Sequence, residues 1–292
     1  MLNQLKTIYP SIIRYDQQKQ EHVNDYVWFI TDQKEVFGIL RKELSKKDLI
    51  LLSTLLKRYN QLLPEKTNEE EYWYDLIAEK SSTAHLSPFR FIYFTIQPDQ
   101  IDPTSFKAAI TELFGKYVPI LWEDETTGIL VEEISITEEQ IDYAQIIDIL
   151  MADLSVHIHF YIGDIQANSS DIKQYYTSLL KGGKIIFQLT NEEVISYQQS
   201  IPYLLLNQTD KQTKKQLITS VLKKFEDDEE MLKTLEMFFN HNLNVSETAK
   251  KMYMHRNSLQ YRIDKFTNET GINIQKFDQA LAVKLALVAK KS

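Results

Sequence analysis

The hydrophobic pattern of the first 88 residues predicts a small α/β unit followed by a helical connector. Residues 26–31 (YVWFIT) and 36–41 (VFGILR) are rich in β-branched and aromatic side chains and are separated by polar residues, which is typical of a β-hairpin. Residues 45–48 (SKKD) resemble a capping box before a helix with an apolar face. We therefore assign residues 1–62 to the α/β unit and residues 63–88 to the connector.

Between residues 89 and 208 the pattern changes repeatedly from strand to helix. Strands are predicted at 89–97, 117–123, 127–134, 156–164 and 184–188, with helices from about 102, at 138–153 and at 169–181. The β-α-β-β-α-β order within this series is typical of ferredoxin-like folds, and it predicts an antiparallel sheet with helices on one face. The fold class expected for the chain is α+β.

Residues 209–292 are predicted to be entirely helical, with a helix-turn-helix at 244–263. Asn244 is a suitable N-cap, and Glu247 is placed where a capping-box acid returns a hydrogen bond to the cap. Ala249 is small, as the close crossing of two helices requires. An apolar stripe at i, i+4 and i+7 runs along the second helix: Leu259, Ile263 and Phe266.

The outward face of that second helix carries side chains that can read DNA. Asn and Gln pair with adenine edges, Arg and Lys with guanine or phosphate, and hydroxyl groups with phosphate. The residues that we assign to a DNA-binding surface are Ser246, Arg256, Asn257, Ser258, Gln260, Tyr261, Arg262 and Lys265. An ordinary solvated helix face is the alternative interpretation, which the capped first helix and the small crossing residue disfavour.

The distribution of charge also favours DNA binding by the end of the chain. Residues 231–292 contain ten Lys and Arg but five Asp and Glu, a local charge of +5, whereas the whole chain carries −8 and residues 1–230 therefore carry −13. A basic segment on an acidic body is expected when only that segment meets phosphate. The last predicted helix (ALAVKLALVA) is apolar on more than one face, which predicts contact with another domain or a second subunit.

Composition excludes several kinds of chemistry. The 292 residues include no cysteine, which excludes thiol catalysis, disulfides and cysteine-ligated metal. The start of the chain lacks the apolar core of a signal peptide, and no apolar run is long enough to span a bilayer, so a cytoplasmic protein is expected. No metal or other cofactor is predicted. His157 and His159 share one face of a predicted strand and could ligate zinc, but no further ligands are evident.

Residues 232–287 resemble the C-terminal helix-turn-helix domain of the PucR/CdaR family of bacterial transcriptional regulators. The resemblance lies in the lead-in N-x-N-V-S-E-T-A, the run H-R-N-S-L-Q-Y-R-I and the segment T-G-I-N-I-x-x-F-D. Ser258 stands where the family often has Thr. Tyr253 stands where other helix-turn-helix proteins have glycine, and the family's turn is not of the tight glycine kind. The resemblance implies a sensory amino-terminal part, a degenerate GGDEF-like middle domain and homodimers on operator DNA.

The resemblance raises the possibility of nucleotide cyclisation, which the sequence disfavours. Active diguanylate cyclases carry a glycine pair, acids and a phenylalanine on the hairpin between their central strands. The equivalent residues here, 122–128 (WEDETTG), have acids but neither the glycine pair nor the phenylalanine. We therefore predict that the middle domain is not an enzyme.

Three classes of function follow from the sequence. The leading hypothesis is a sequence-specific transcriptional regulator that binds a two-half-site operator as a dimer and responds to an unidentified small effector. A nucleotide-cyclising enzyme is the second and is disfavoured. The third is a catalytically inactive GGDEF-like adaptor whose helix-turn-helix is structural.

Overall fold

The computed structural model describes residues 2–15, 25–31, 35–58, 63–80, 87–98, 100–134, 141–167 and 171–291. The elements in chain order are α1 (Leu2–Ile8), β1 (Ile13–Arg14), β2 (Tyr26–Ile30), β3 (Val36–Leu40), α2 (Lys46–Leu55), β4 (Lys57–Arg58), α3 (Asn68–Ile77), β5 (Phe89–Ile96), α4 (Pro103–Phe114), β6 (Ile120–Trp122), β7 (Thr127–Glu133), α5 (Tyr143–Leu154), β8 (Ile158–Ile162), α6 (Ile172–Leu189), β9 (Val194–Ser196), α7 (Tyr197–Asn207), α8 (Lys211–Leu222), α9 (Glu229–Asn240), α10 (Val245–Lys251), α11 (Arg256–Thr270) and α12 (Phe277–Lys291). This mixture of helices and separate sheets confirms the α+β class. Within the described residues, no helix combines the length and apolar character needed to cross a bilayer.

The amino-terminal sheet has the strand order β1-β3-β2-β4, and every neighbouring pair is antiparallel. β2 and β3 pair over their whole lengths, which confirms the predicted hairpin. The predicted turn at 32–34 lies outside the described residues. The capping box before α2 is also confirmed, because the Ser45 hydroxyl accepts from the Asp48 N–H and the Asp48 carboxylate accepts from the Ser45 N–H.

The middle sheet has the order β6-β7-β5-β8-β9. Its first four strands are antiparallel to their neighbours and, together with α4 and α5, form the predicted β-α-β-β-α-β unit. β9 extends the sheet as a strand parallel to β8. The ferredoxin-like arrangement expected from the element order is therefore present, with one additional edge strand.

Helices cover both faces of this sheet, so the prediction of helices on one face was wrong. Alternate residues of β5 point to opposite sides: Phe91 belongs to a core shared with α3, α6 and α7, whereas Phe94 belongs to a core shared with α4 and α5. A strand that is apolar at successive positions is buried on both faces. The run FRFIYFTI in β5 has this pattern.

The predicted strand at 184–188 was also wrong, because these residues belong to the helix α6. The predicted helix ended at residue 181, directly before Gly182 and Gly183, but both glycines are buried against the sheet. A Cβ atom at Gly183 would collide with the ring of Tyr93, and one at Gly182 would lie 3.0 Å from Tyr161 Cε1. The last strand is instead β9, which directly precedes α7.

The connector helix α3 packs on the middle sheet. Trp73 and Leu76 are buried in the core that α3 shares with α6. The buried carboxylate of Glu70 accepts hydrogen bonds from Lys107 Nζ (2.7 Å) and from the Ile120 N–H (3.1 Å). Because a buried charge needs partners, these contacts fix the start of α3 to α4 and β6.

The final helix α12 contributes to two cores, which explains why it is apolar on more than one face. Leu287 packs in the helix-turn-helix core, and the adjacent Val288 packs in the core of the middle sheet. A polar contact supplements this junction: Asn240 Nδ2 donates to Glu192 Oε1 (3.2 Å), and Lys284 Nζ lies 3.4 Å from Asn240 Oδ1. Burial lowers the pKa of Lys284. The predicted partner of this helix is thus the middle domain of the same chain.

Candidate nucleic-acid interface

The first helix of the helix-turn-helix, α10, begins at the predicted cap. Asn244 Oδ1 accepts hydrogen bonds from the N–H groups of Ser246 (3.0 Å) and Glu247 (3.2 Å). The expected return bond from Glu247 is absent, because the Asn244 N–H donates to the His241 carbonyl (2.9 Å). The side chain of Ser246 is exposed.

The turn between α10 and α11 is held by backbone and apolar contacts. Ala249 is buried, as its place at the helix crossing predicts, and Met252 and Met254 pack on the same core. The Met254 N–H donates to the Ala249 carbonyl (3.0 Å). Tyr253 has a φ of 52°, the left-handed conformation that costs a non-glycine residue about 1–2 kcal/mol. The turn therefore has the backbone that favours glycine, contrary to the expectation for this family.

The second helix, α11, is oriented by its apolar stripe. Leu259, Ile263 and Phe266 are buried in the helix-turn-helix core, as predicted. His255 caps the helix, because its Nδ1 accepts from the Asn257 N–H (3.2 Å). The opposite face of α11 is consequently turned toward solvent.

Most of the predicted DNA-binding residues of α11 lie on its exposed surface: Arg256, Asn257, Ser258, Tyr261 and Lys265. Tyr261 is 70% exposed. Lys265 Nζ lies 6.0 Å from the centre of the Phe225 ring. Within the described part of the chain, Arg256 and its exposed neighbours Lys250 and Lys251 form no ion pair. These cations are available to phosphate oxygens.

Gln260 and Arg262 are half-buried and already have partners. Gln260 Nε2 donates to Asp264 Oδ1 on the same helix (2.9 Å). Arg262 pairs with the Glu230 carboxylate and donates to Thr234 Oγ1 (3.2 Å), so it fastens α11 to α9.

A groove of about 430 Å³ separates the start of α9 from α11. Its lining combines acids of α9 with predicted DNA-binding residues: Asp228, Glu230, Met231, Asn257, Ser258, Tyr261, Arg262 and Lys265. Asp228 accepts from the Met231 N–H (3.0 Å) and caps α9. The acids lie on the α9 side of the groove, which leaves the beginning of α11 and the turn as the more basic surface.

The other candidate chemistry lies in the middle domain. In the β6–β7 hairpin, Asp124 Oδ1 accepts from the Thr126 and Thr127 N–H groups (2.9 and 2.8 Å), as an ordinary turn aspartate does. A Cβ atom at Gly128 would lie 2.8 Å from the Leu121 carbonyl oxygen, so glycine is needed here for the close packing of β6 and β7.

The two histidines that could have ligated zinc have other partners. His157 Nδ1 lies 2.8 Å from Gln100 Nε2, and His159 Nδ1 lies 3.1 Å from the Glu192 carbonyl oxygen. Among the described residues, no group of three or more His, Asp and Glu could hold a metal ion.

Two further exposed residues of this surface, Tyr253 and His255, are not among the residues predicted from the sequence. Both lie in the turn, whereas most of the predicted residues follow from their position around α11. The substitution of glycine by Tyr253 was a signal that could have found one of them. His255 could have been found as the residue immediately before the helix, since the N-cap requires a hydrogen-bond acceptor.

The capped α10, the left-handed turn and the outward-facing α11 define a helix-turn-helix protein of the DNA-binding kind. Residues 231–289 match the PucR C-terminal helix-turn-helix domain. This part of the chain is therefore similar to the DNA-binding end of PucR-type transcriptional regulators.

Similar proteins match either most of the chain or only its last part. The protein YxkF of Bacillus subtilis strain 168, whose function is unassigned, is 28% identical over 263 residues, which cover 87% of each chain. The carbohydrate diacid regulator of Escherichia coli K12 is 36% identical over 55 residues, 19% of this chain and 14% of the regulator. The purine catabolism regulatory protein of B. subtilis is 31% identical over 70 residues, 24% of this chain and 13% of that protein. The two named regulators thus match only a small part of their own lengths.

Proposed function

We propose that this regulator binds specific operator sequences by inserting α11 into the major groove of DNA. The observation that carries the proposal is the outward face of α11, where Arg256, Asn257 and Tyr261 are exposed beside a buried apolar stripe. Residues at the amino-terminal end of a recognition helix contact base edges, while the first helix crosses the phosphate backbone. Ser246 at the start of α10 is suited to that backbone contact, and Ser258, Gln260, Arg262 and Lys265 complete the surface.

The protein is proposed to act as a homodimer on two half-sites. A single helix-turn-helix reads few base pairs, and dimers of such domains bind half-sites about 10 bp or a multiple of it apart. The charge of +5 on residues 231–292, against −13 on the rest, supports an approach to DNA through this end of each subunit.

A small effector is proposed to act through the domains that precede the helix-turn-helix. The division that we propose is 1–62 for a sensory α/β unit, 63–88 for the connector, 89–208 for a degenerate GGDEF-like domain and 209–292 for the DNA-binding part. The two named relatives refer to carbohydrate diacids and to purine catabolism, which are chemically different. Their names therefore support control by a metabolite but not one ligand class.

The middle domain is proposed to be non-catalytic. Of the acids in its hairpin, Asp124 accepts hydrogen bonds within the turn and Glu123 accepts one from the Tyr176 hydroxyl, and Gly128 is closely packed. Incubation of the protein with GTP and Mg²⁺ should leave the nucleotide unchanged, and formation of a cyclic dinucleotide would contradict the proposal.

Selection of genomic fragments by the purified protein tests DNA recognition. Wild-type protein should enrich fragments with a shared two-part sequence, and Asn257→Ala should abolish the enrichment. Asn268→Ala is a matched control, because Asn268 is exposed on the same helix but lies far from its amino-terminal end. Equal enrichment by wild type and Asn257→Ala, or none by folded wild type, would contradict the proposal.

The adaptor function retains one supporting observation, the structural role of Arg262 between α11 and α9. In an adaptor, replacing Arg256 and Arg262 by alanine would leave partner binding intact and there would be no DNA affinity to lose. In a regulator the double variant should lose DNA affinity, and its log–log salt dependence should flatten by about one unit for each phosphate contact removed.

A further inference from the structure

Tyr253 combines a backbone conformation that disfavours tyrosine with a side chain that contributes nothing to packing. Its φ is 52°, and it is 98% exposed. By contrast, Leu243 has a φ of 60° but packs against the helix-turn-helix core, and Lys223 has a φ of 50° but donates to the Thr270 carbonyl. Burial or a side-chain hydrogen bond compensates for the strain in those two residues, whereas the side chain of Tyr253 makes no such contact with the described residues.

The turn holds Tyr253 in a fixed outward position. Its neighbours Met252 and Met254 pack on the core, and the Tyr253 N–H donates to the Lys250 carbonyl (3.2 Å). The aromatic side chain is therefore presented from a rigid backbone, so little entropy is lost when it contacts a ligand.

The surroundings of the turn are suited to DNA phosphates. Lys250, Lys251 and Arg256 are exposed and form no ion pair within the described residues. Arg256 lies three positions after Tyr253, a span of about 11 Å at most. The major groove is about 12 Å wide and is bordered by the two phosphate backbones. When the start of α11 lies in the groove, a bordering phosphate backbone is therefore within reach of the Tyr253 side chain.

We propose that the hydroxyl group of Tyr253 donates a hydrogen bond to a phosphate oxygen at the edge of the major groove entered by α11. This inference rests on the proposed function, because it requires DNA on the outward face of α11. Tyr253 is then a positioning residue, which fixes the register of α11 without reading a base. The hydrogen bond to phosphate forms only in the complex with DNA, so the contact that offsets the strain of the turn is not seen in the free protein.

Three variants test the inference on a DNA duplex that wild-type protein has selected from a genomic pool. Tyr253→Gly should weaken affinity about tenfold, the value of a hydrogen bond to a charged group. Its melting temperature should be no lower than that of wild type, because glycine accepts the left-handed backbone. Tyr253→Phe should weaken affinity to a similar degree, since it lacks only the hydroxyl group.

The salt dependence separates this contact from those of the cations. Tyr253 carries no charge, so Tyr253→Gly should leave the log–log slope unchanged, whereas Arg256→Ala should reduce it by about one unit. Wild-type affinity in Tyr253→Phe, or a lower melting temperature with unchanged affinity in Tyr253→Gly, would overturn the inference. If wild type selects no duplex, the proposed function itself fails, which is distinguishable from failure of the tyrosine contact.

Discussion

Arg256 and Arg262 lie on the same helix but have different surroundings. Arg256 is exposed and forms no ion pair among the described residues, whereas the side chain of Arg262 is 27% exposed and contacts Glu230 and Thr234. The two arginines therefore differ in what their removal changes.

We predict that Arg256→Ala weakens DNA binding but changes the free energy of unfolding by less than about 0.5 kcal/mol. Arg262→Ala should lower the free energy of unfolding by about 1 kcal/mol. This value is small because Glu230 is largely exposed to solvent. Urea denaturation of both variants, with salt-dependent DNA titrations, measures the two effects. Equal stability of the two variants would show that the contact between α11 and α9 does not hold in solution.

Asp210 makes one helix cap sensitive to pH. Hydrogen bonds from the Thr213 hydroxyl and from backbone N–H groups at the start of α8 lower the pKa of its carboxyl group. A carboxyl group with a lowered pKa in the folded state stabilises the protein above its unfolded-state pKa of about 3.9, and this contribution is lost as the pH falls through the folded-state pKa.

Asp210→Asn should therefore have a weaker pH dependence of unfolding than wild type between about pH 5 and pH 3. The amide oxygen can still accept from the helix, but it does not titrate in this range. Urea denaturation at several pH values measures the two slopes. Parallel curves for wild type and Asp210→Asn would contradict the role assigned to the cap.

Prediction of single residues from the sequence succeeded where the spacing of apolar residues along one helix determines which of them are buried. The burial of Leu259, Ile263 and Phe266 followed from their spacing, and it defined which residues face outward. The pairing of Arg262 did not follow, because its partner Glu230 lies on another helix, 32 positions away. The conformation of Tyr253 depends on how two helices pack around the turn, which residue types alone do not determine.

At the level of elements, α6 illustrates how tertiary packing overrides a local signal. Glycine costs about 1 kcal/mol relative to alanine within a helix, so the pair Gly182 and Gly183 disfavours continuation beyond the predicted end at residue 181. The helix continues because the two glycines allow it to approach Tyr93 and Tyr161 on the sheet. The strand predicted after them was wrong for the same reason.

We predict that Gly183→Ala destabilises the protein although alanine favours helices. The added Cβ atom would collide with the Tyr93 ring, and overpacking of this kind costs about 1–3 kcal/mol. Lys184→Ala is the control, since Lys184 is exposed next to it and should have little effect. Chemical denaturation measures both variants, and a Gly183→Ala protein more stable than wild type would show that α6 does not approach the sheet so closely.

The middle sheet shows a second limit of sequence prediction at this level. The strands of the β-α-β-β-α-β unit were predicted from their apolar runs, and their order suggested the right arrangement. That order accounts only for the helices on one face of the sheet. The helices on the other face, α3, α6 and α7, lie outside the β-α-β-β-α-β unit, so the order of its elements could not predict them. Only the apolar character of successive residues in β5 indicated that the second face is also covered.

In the whole molecule, α12 joins the DNA-binding part to the middle domain. Its residues Leu287 and Val288 are neighbours in sequence but belong to different cores. A helix shared in this way allows a change in the middle domain to reach the helix-turn-helix without a separate linker. It also predicts that the two domains unfold together.

We predict that wild-type protein shows one cooperative unfolding transition for both domains and that Val288→Asp separates it into two. Val288 is 2% exposed, and a charge introduced there without a partner costs several kcal/mol at the junction. The helix-turn-helix core keeps Leu287, so the variant should still bind DNA. Leu281→Asp is the control on the same helix, because Leu281 is 43% exposed and the charge remains in water.

Calorimetry, together with tryptophan fluorescence in a Trp28→Phe background that leaves only Trp73 and Trp122 of the middle domain, distinguishes the outcomes. In Val288→Asp these two tryptophans should report one transition while the calorimetric trace contains two. In wild type and Leu281→Asp the two signals should coincide. Two transitions in the wild-type protein would mean that α12 does not couple the domains, and an effector bound by the amino-terminal parts would then need another route to α11.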